Sequence, residues 1–183
     1  MTFSTKAKLN LWTISPHEGH PLRYFMAWRK RGRATGSFAY AQLDTTLHRD
    51  LSTVDNCLLA MNEPPSDAPH FEKEVYVRKA IEREGLNVLL PWFSLGKARA
   101  AGLTSQERAV AAICCALLSR SEATLIDLGK LALDELCLVQ IKNVLRTHAQ
   151  GTIVIATQRP EDWTDLTQEY FDPWVTIEVK KSA

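Results

Sequence analysis

The chain has 183 residues, 45% hydrophobic and 23% charged, a composition that excludes a disordered tail, a collagen and a coiled-coil rod. Lys plus Arg number 22 and Asp plus Glu 21, so a net charge of +1 leaves no global field to draw the protein onto nucleic acid or anionic lipid. No run approaches the ~18 uncharged apolar residues of a membrane span, and Met1–Lys8 lacks the apolar stretch of a signal peptide.

Lys8–Ile14 (KLNLWTI) alternates apolar and polar residues and reads as a short strand. Ser15–Pro21, with two prolines and a glycine, reads as a loop. Leu22–Trp28 is apolar and aromatic, Arg29–Arg33 is basic, and Ser37–Leu43 reads as a second strand. Ser52–Met61 predicts a helix capped by Ser52 with Asp55 three positions on. Asn62–His70 holds three prolines and predicts a loop. Phe71–Glu84 predicts a charged amphipathic helix, with Val75 and Ile81 on its apolar stripe and Gly85 at its end. Leu86–Ala101 is mixed, interrupted by Pro91 and Gly96.

The second half is more regular. Thr104–Leu118 opens on a cap residue and predicts an apolar helix. Ala123–Ile126 is a short apolar strand ending at Asp127, and Leu133–His148 an amphipathic helix stopped near Gly151. Thr152–Thr157 (TIVIAT) is the β-branched run of a strand buried on both faces. Trp163–Tyr170 reads as a short helix and Trp174–Lys180 as an edge strand. This alternation predicts an α/β fold with parallel strands. Cys57, Cys114, Cys115 and Cys137 form no CxxC and read as buried free thiols of a reducing compartment, with metal or disulfide as the alternative.

From Leu103 to Gly129 the chain reads LTSQERAVAAICCALLSRSEATLIDLG. This resembles the ATP-binding subunit of ABC transporters, from signature motif to Walker B. Leu103–Glu107 falls on LSGGQ, Ala116–Ser121 on ALLSRP, Asp127 on the Walker B aspartate, Leu131–Asp134 on the D-loop, and Gly151–Thr157 on the strand leading to the switch histidine. Upstream, Ala41-Gln42 resembles the Q-loop and Asp50–Asn56 the stretch that opens the family's helical subdomain. The resemblance covers about Gln42 to Pro160. It implies a P-loop NTPase-like, ABC ATPase-like parallel core trimmed at its N-terminus: residues 1–52 a core with a remnant phosphate loop, 53–102 a helical insertion, and 103–183 the signature, Walker B and C-terminal core.

Measured against that family, the chemistry is depleted. A phosphate cradle needs glycines for backbone approach, a lysine for the β and γ phosphates and a hydroxyl for magnesium. Ser15–Arg23 (SPHEGHPLR) offers one glycine, Gly19, and Pro21 or a neighbour in place of the lysine. Leu128 stands where the family has its water-activating acid, and Gln158 where it has the switch histidine. Glu122 and Glu135 are too far along the chain to substitute easily. Ser105 and Gln106 replace the signature glycines, and Glu107 adds a negative charge where a γ-phosphate would lie. Gln42, Thr104 and Asp127 are the residual candidates for nucleotide contact, though Asp127 better suits capping the following turn, and Gln42 and Gln158 better suit an ordinary strand end.

The expected function is thus a non-catalytic, pseudo-ATPase subunit without cofactor, cytoplasmic, and docked on a protein partner: an ABC ATPase, a membrane permease subunit or itself. The alternatives are a subunit that binds ATP·Mg²⁺ weakly and is completed by a partner, and a nucleic-acid-associated module, which the neutral charge disfavours. The remaining landmarks are plainer. His17 and His20 read as a solvated loop rather than a metal pair, Arg29–Arg33 as a solvated turn rather than a phosphate or lipid grip, and Tyr24, Phe25 and Trp28 as core. Trp92 and Phe93 lie where the family receives a permease helix, or are simply buried.

Overall fold

The computed structural model describes residues 8–13, 20–30, 36–42, 46–63, 67–96, 99–147 and 151–166. The strands are β1 (Lys8–Thr13), β2 (Phe38–Gln42), β3 (Ala123–Gly129) and β4 (Thr152–Thr157), and the helices α1 (Pro21–Trp28), α2 (Thr53–Ala60), α3 (His70–Arg83), α4 (Ser105–Leu118) and α5 (Glu135–Thr147). Single 3₁₀ stretches occupy Asn87–Trp92, Ala100–Gly102 and Pro160–Trp163.

The four strands form one parallel sheet in the order β1-β4-β3-β2. β3 and β4 are central, and they carry the apolar runs that a strand covered on both faces requires. Alternation assigns their side chains to two layers. Leu125 and Val154, with Ala123 and Ala156, pack beneath Phe25 of α1. Ile126, Leu128, Ile153 and Ile155 face the larger core built by α2, α4 and α5. α4 is the spine of that core: ten of its fourteen residues, Ala109 to Leu118, are buried. Its apolar all-round sequence is explained by its position, under the sheet on one side and under α2 and α3 on the other.

α2 begins as its sequence predicts. The Ser52 hydroxyl accepts the Asp55 N–H at 3.1 Å, and the Asp55 carboxylate meets Lys73 of α3 at 3.2 Å. Burial works against the Asp55 charge, but the Ser52 hydroxyl and the Lys73 ammonium outweigh it and hold its pKa below the usual carboxylate value. Buried Asn56 is fully engaged, accepting from His48 N–H and donating to the His48 and Ser52 carbonyls. α3 ends before Gly85, whose φ of +70° closes the turn.

Three expectations need correction. Val75 is not on the buried stripe of α3: it is 36% exposed, and Val77, Ala80 and Ile81 face inward. The stripe follows 77, 80 and 81, and Val75 sits about 200° around the helix from Val77. β3 continues through Asp127 to Gly129, because its last residues still pair with β4 through a register shift. Of the predicted helix Trp163–Tyr170 only residues 163–166 are described: a 3₁₀ turn at Pro160–Trp163, with Pro160 at its first position, ends on buried Trp163, and residues 164–166 continue as a turn. The predicted strand Trp174–Lys180 lies outside the described residues. Among those described, no helix is long and apolar enough to cross a membrane.

Candidate functional site

A parallel sheet brings the carboxyl ends of its strands, and the loops leaving them, to one edge. Gln42 pairs directly with Asp127 in the ladder, Asp127 with Ala156, and Thr13 with Thr157. The sheet therefore gathers Gln42, Asp127 and Gln158 at one end, on three adjacent strands. It also brings in His20, which the sequence reads as part of a solvated loop. His20 caps α1, its Nδ1 accepting the Leu22 N–H at 3.3 Å, and its Nε2 lies 3.3 Å from Gln42 Nε2 and 3.5 Å from the Tyr40 hydroxyl.

Asp127 is the centre of this group and is only 7% exposed. The Tyr40 hydroxyl donates to its Oδ2 at 3.2 Å, and the Gly129 N–H donates to Oδ1 at 3.2 Å. The second contact is the turn-capping role that the sequence allows Asp127. Burial raises the Asp127 pKa above its ordinary value, and the two hydrogen bonds and the nearby His20 only partly offset it. The Tyr40 phenol is pushed up by burial, by the charge of Asp127 and by the shared hydrogen bond. Tyr40 was missed because one strand aromatic looks like any other. The signal available was its position two residues before Gln42, on the same face of β2.

The neighbouring positions point away from this chemistry. Leu128, next in the chain after Asp127, is 2% exposed and packs into the α2–α4–α5 core on the opposite face of the sheet. Gln158 is held through its backbone, its N–H donating to the Gly129 carbonyl at 2.8 Å. Glu122 precedes β3 and stands at the far end of that strand, where its N–H approaches the Ser37 hydroxyl at 3.4 Å. Gly19 and His17 lie outside the described residues, as does most of Ser15–Arg23. Arg29 is engaged locally: its guanidinium stacks 4.5 Å from the Phe38 ring centroid and donates to the Gly36 carbonyl.

Thr104 and its successors form a closed helix start. The Thr104 hydroxyl accepts the Glu107 N–H at 3.2 Å while the Glu107 carboxylate accepts the Thr104 N–H at 2.8 Å, a complete capping box. These two bonds hold the Glu107 pKa below its usual value. Gln106 Oε1 accepts the Asp134 N–H at 2.8 Å, and Asp134 in turn caps α5 through the Leu136 and Cys137 N–H groups. Gln106 thus joins the starts of α4 and α5. Thr104→Ala is expected to cost about 1 kcal/mol, read as a fall of about 2–4 °C in thermal midpoint.

Beside this helix start lies an open cleft of about 610 Å³, lined by Glu74, Arg78, Trp92, Phe93, Gln106 and Glu107 among others. Phe93 is buried and belongs to the core, and Trp92 is partly buried and packs against the same core. Among the described residues no three His, Cys, Asp or Glu side chains come together as a metal site would need. All four cysteines are buried and free.

No family model and no curated protein matches the chain. Its fold does match solved structures. One is a chain of a metal-chelate type ABC transporter in an inward-facing conformation, at a TM-score of 0.57 and 14% identity, covering 90% of this chain and 67% of that one. The protein therefore has an α/β fold with a parallel sheet, of the kind seen in that transporter chain. An identity this low speaks to fold alone.

Proposed function

We propose that this protein is a non-catalytic, ABC ATPase-like subunit that works by docking on a protein partner in a transporter-type assembly. The observation that carries this reading is Leu128. The position that supplies the water-activating acid in the family it resembles is here an aliphatic side chain in the core, on the wrong face of the sheet to reach Asp127. Two further arrangements support it. The Asp127 oxygens that would meet magnesium are engaged by Tyr40 and Gly129, and the α4 N-terminus that would meet a γ-phosphate is engaged by its own Glu107. The described residues are thus a poor fit to a magnesium–triphosphate. The cleft beside Trp92 offers a partner a mixed apolar and charged lining. On this reading the subunit is cytoplasmic and meets any membrane through its partner, an ABC ATPase, a permease subunit or a second copy.

The direct pairing of Gln42 with Asp127 favours one second reading: a weak ATP·Mg²⁺ binder completed by a partner. Thermal denaturation with added nucleotide separates the two. A site with a Kd of about 10 μM gains about 2.7 kcal/mol from about 1 mM ligand, or about 5–10 °C in midpoint. The expected result is no shift and no phosphate release above background. A saturable shift that requires Asp127 establishes the second reading instead.

A further inference from the structure

We propose that Cys57 and Cys115 are an oxidisable thiol pair, which a two-electron oxidant of the peroxide class converts to a disulfide stapling α2 to α4. The two sulfurs lie 3.6 Å apart across the α2–α4 contact, from positions 58 apart in the chain. A disulfide places its sulfurs about 2.05 Å apart, so closure asks for a relative approach of about 1.5 Å, within reach of rotamer adjustment and a small helix shift. Sulfurs in van der Waals contact on two separate helices need no unfolding to meet.

Cys115 is 3% exposed, and an oxidant reaches it by way of a bordering cavity. Cys115 lines an open cavity of about 460 Å³ between β2, α2 and the C-terminal half of α4, with Phe38, Leu59, Asn62 and Ser119 on its walls. Cys57 lies behind it, fully buried. The reaction order follows. The Cys115 thiolate attacks one peroxide oxygen, the O–O bond breaks, and the departing hydroxide takes the thiol proton to become water. Cys57 sulfur then attacks the Cys115 sulfenic sulfur, forming the S–S bond and expelling hydroxide, which the Cys57 proton converts to a second water. Two thiols lose two electrons and two protons, and peroxide becomes two waters. The hydrogen bond to Cys115 and burial hold the Cys57 thiol above its usual range, so it stays protonated and its attack on the sulfenic sulfur quickens as pH rises.

The test uses the full chain and hydrogen peroxide. Under non-reducing digestion, mass spectrometry is expected to find a Cys57–Cys115 linked peptide, lost on addition of dithiothreitol. The thermal midpoint of the oxidised protein should rise by about 5–15 °C, because the bridge restricts the unfolded chain over a long loop. Cys115→Ser should abolish both effects and Cys114→Ser neither. Should a serine variant fail to fold, the peptide map of the unmodified chain still decides. A bridge through Cys114 or Cys137, or sulfinic and sulfonic products at Cys115 without a linked peptide, overturns the proposal. Neither result bears on nucleotide binding.

Discussion

Gly151→Ala is expected to destabilise the protein by about 3 kcal/mol or more, lowering the thermal midpoint by about 6–12 °C. Gly151 immediately precedes β4 with a φ of +72°, a left-handed backbone that a side chain resists. The larger effect is spatial. A Cβ there would stand 2.5 Å from the Glu122 carbonyl oxygen and 2.7 Å from that of Ser121. These atoms are backbone and cannot swing aside. The Glu122 carbonyl also accepts the Thr152 N–H at 2.8 Å, the bond that begins the β3–β4 ladder. Relieving the clash therefore parts the two central strands at their entry. Gly85→Ala is the internal control. Its φ is +70°, but nothing lies within 4 Å of its added Cβ, so the loss should stay near the ~1 kcal/mol of left-handed strain alone. Equal losses at the two positions would show that the close approach of Gly151 to Glu122 is not a real constraint.

Gly151 also illustrates what the sequence could disclose. A glycine after a long amphipathic run and before TIVIAT marks a helix stop and a buried strand, and both occur where the pattern places them. The caps were equally readable. Ser52 and Thr104 make the predicted hydrogen bonds, because a cap depends on residues within three positions of one another. What local pattern cannot carry is the meeting of distant segments. His20, Tyr40 and Asp127 converge only because the crossover order β1-β4-β3-β2 sets β2 beside β3 and starts α1 above their ends. The Cys57–Cys115 contact has the same origin, since helix packing alone decides which cysteines meet. Glu107 shows a subtler gap. From sequence its charge is an obstacle to an incoming phosphate, but the structure gives it a structural task as the reciprocal partner of Thr104.

The roles that sequence leaves open to Asp127, turn cap or cation ligand, are separated by two substitutions. Asp127→Ala removes the acceptor of both the Tyr40 hydroxyl and the Gly129 N–H. Leaving these part-buried donors unpaired costs about 1–3 kcal/mol, so its midpoint should fall by about 2–12 °C at pH 3, and by less at pH 7, where the buried charge is removed with the acceptor. Asp127→Asn keeps an oxygen acceptor but carries no charge, and its difference from the native protein should depend on pH. Folding raises the Asp127 pKa above its ordinary value of 3.8, chiefly by burial. Between the unfolded and folded values the folded state holds more protons, so native stability declines as pH rises through that window. The penalty is complete above the folded value. Relative to the native protein, Asp127→Asn should therefore gain midpoint from pH 3 to pH 7, and added magnesium should leave the native profile unchanged. A carboxylate built to hold a cation would show the reverse: stability that grows with ionisation, rises further with magnesium, and vanishes in the amide. That outcome would return Asp127 to the service of a nucleotide and remove the ground for reading the site as a closed structural corner.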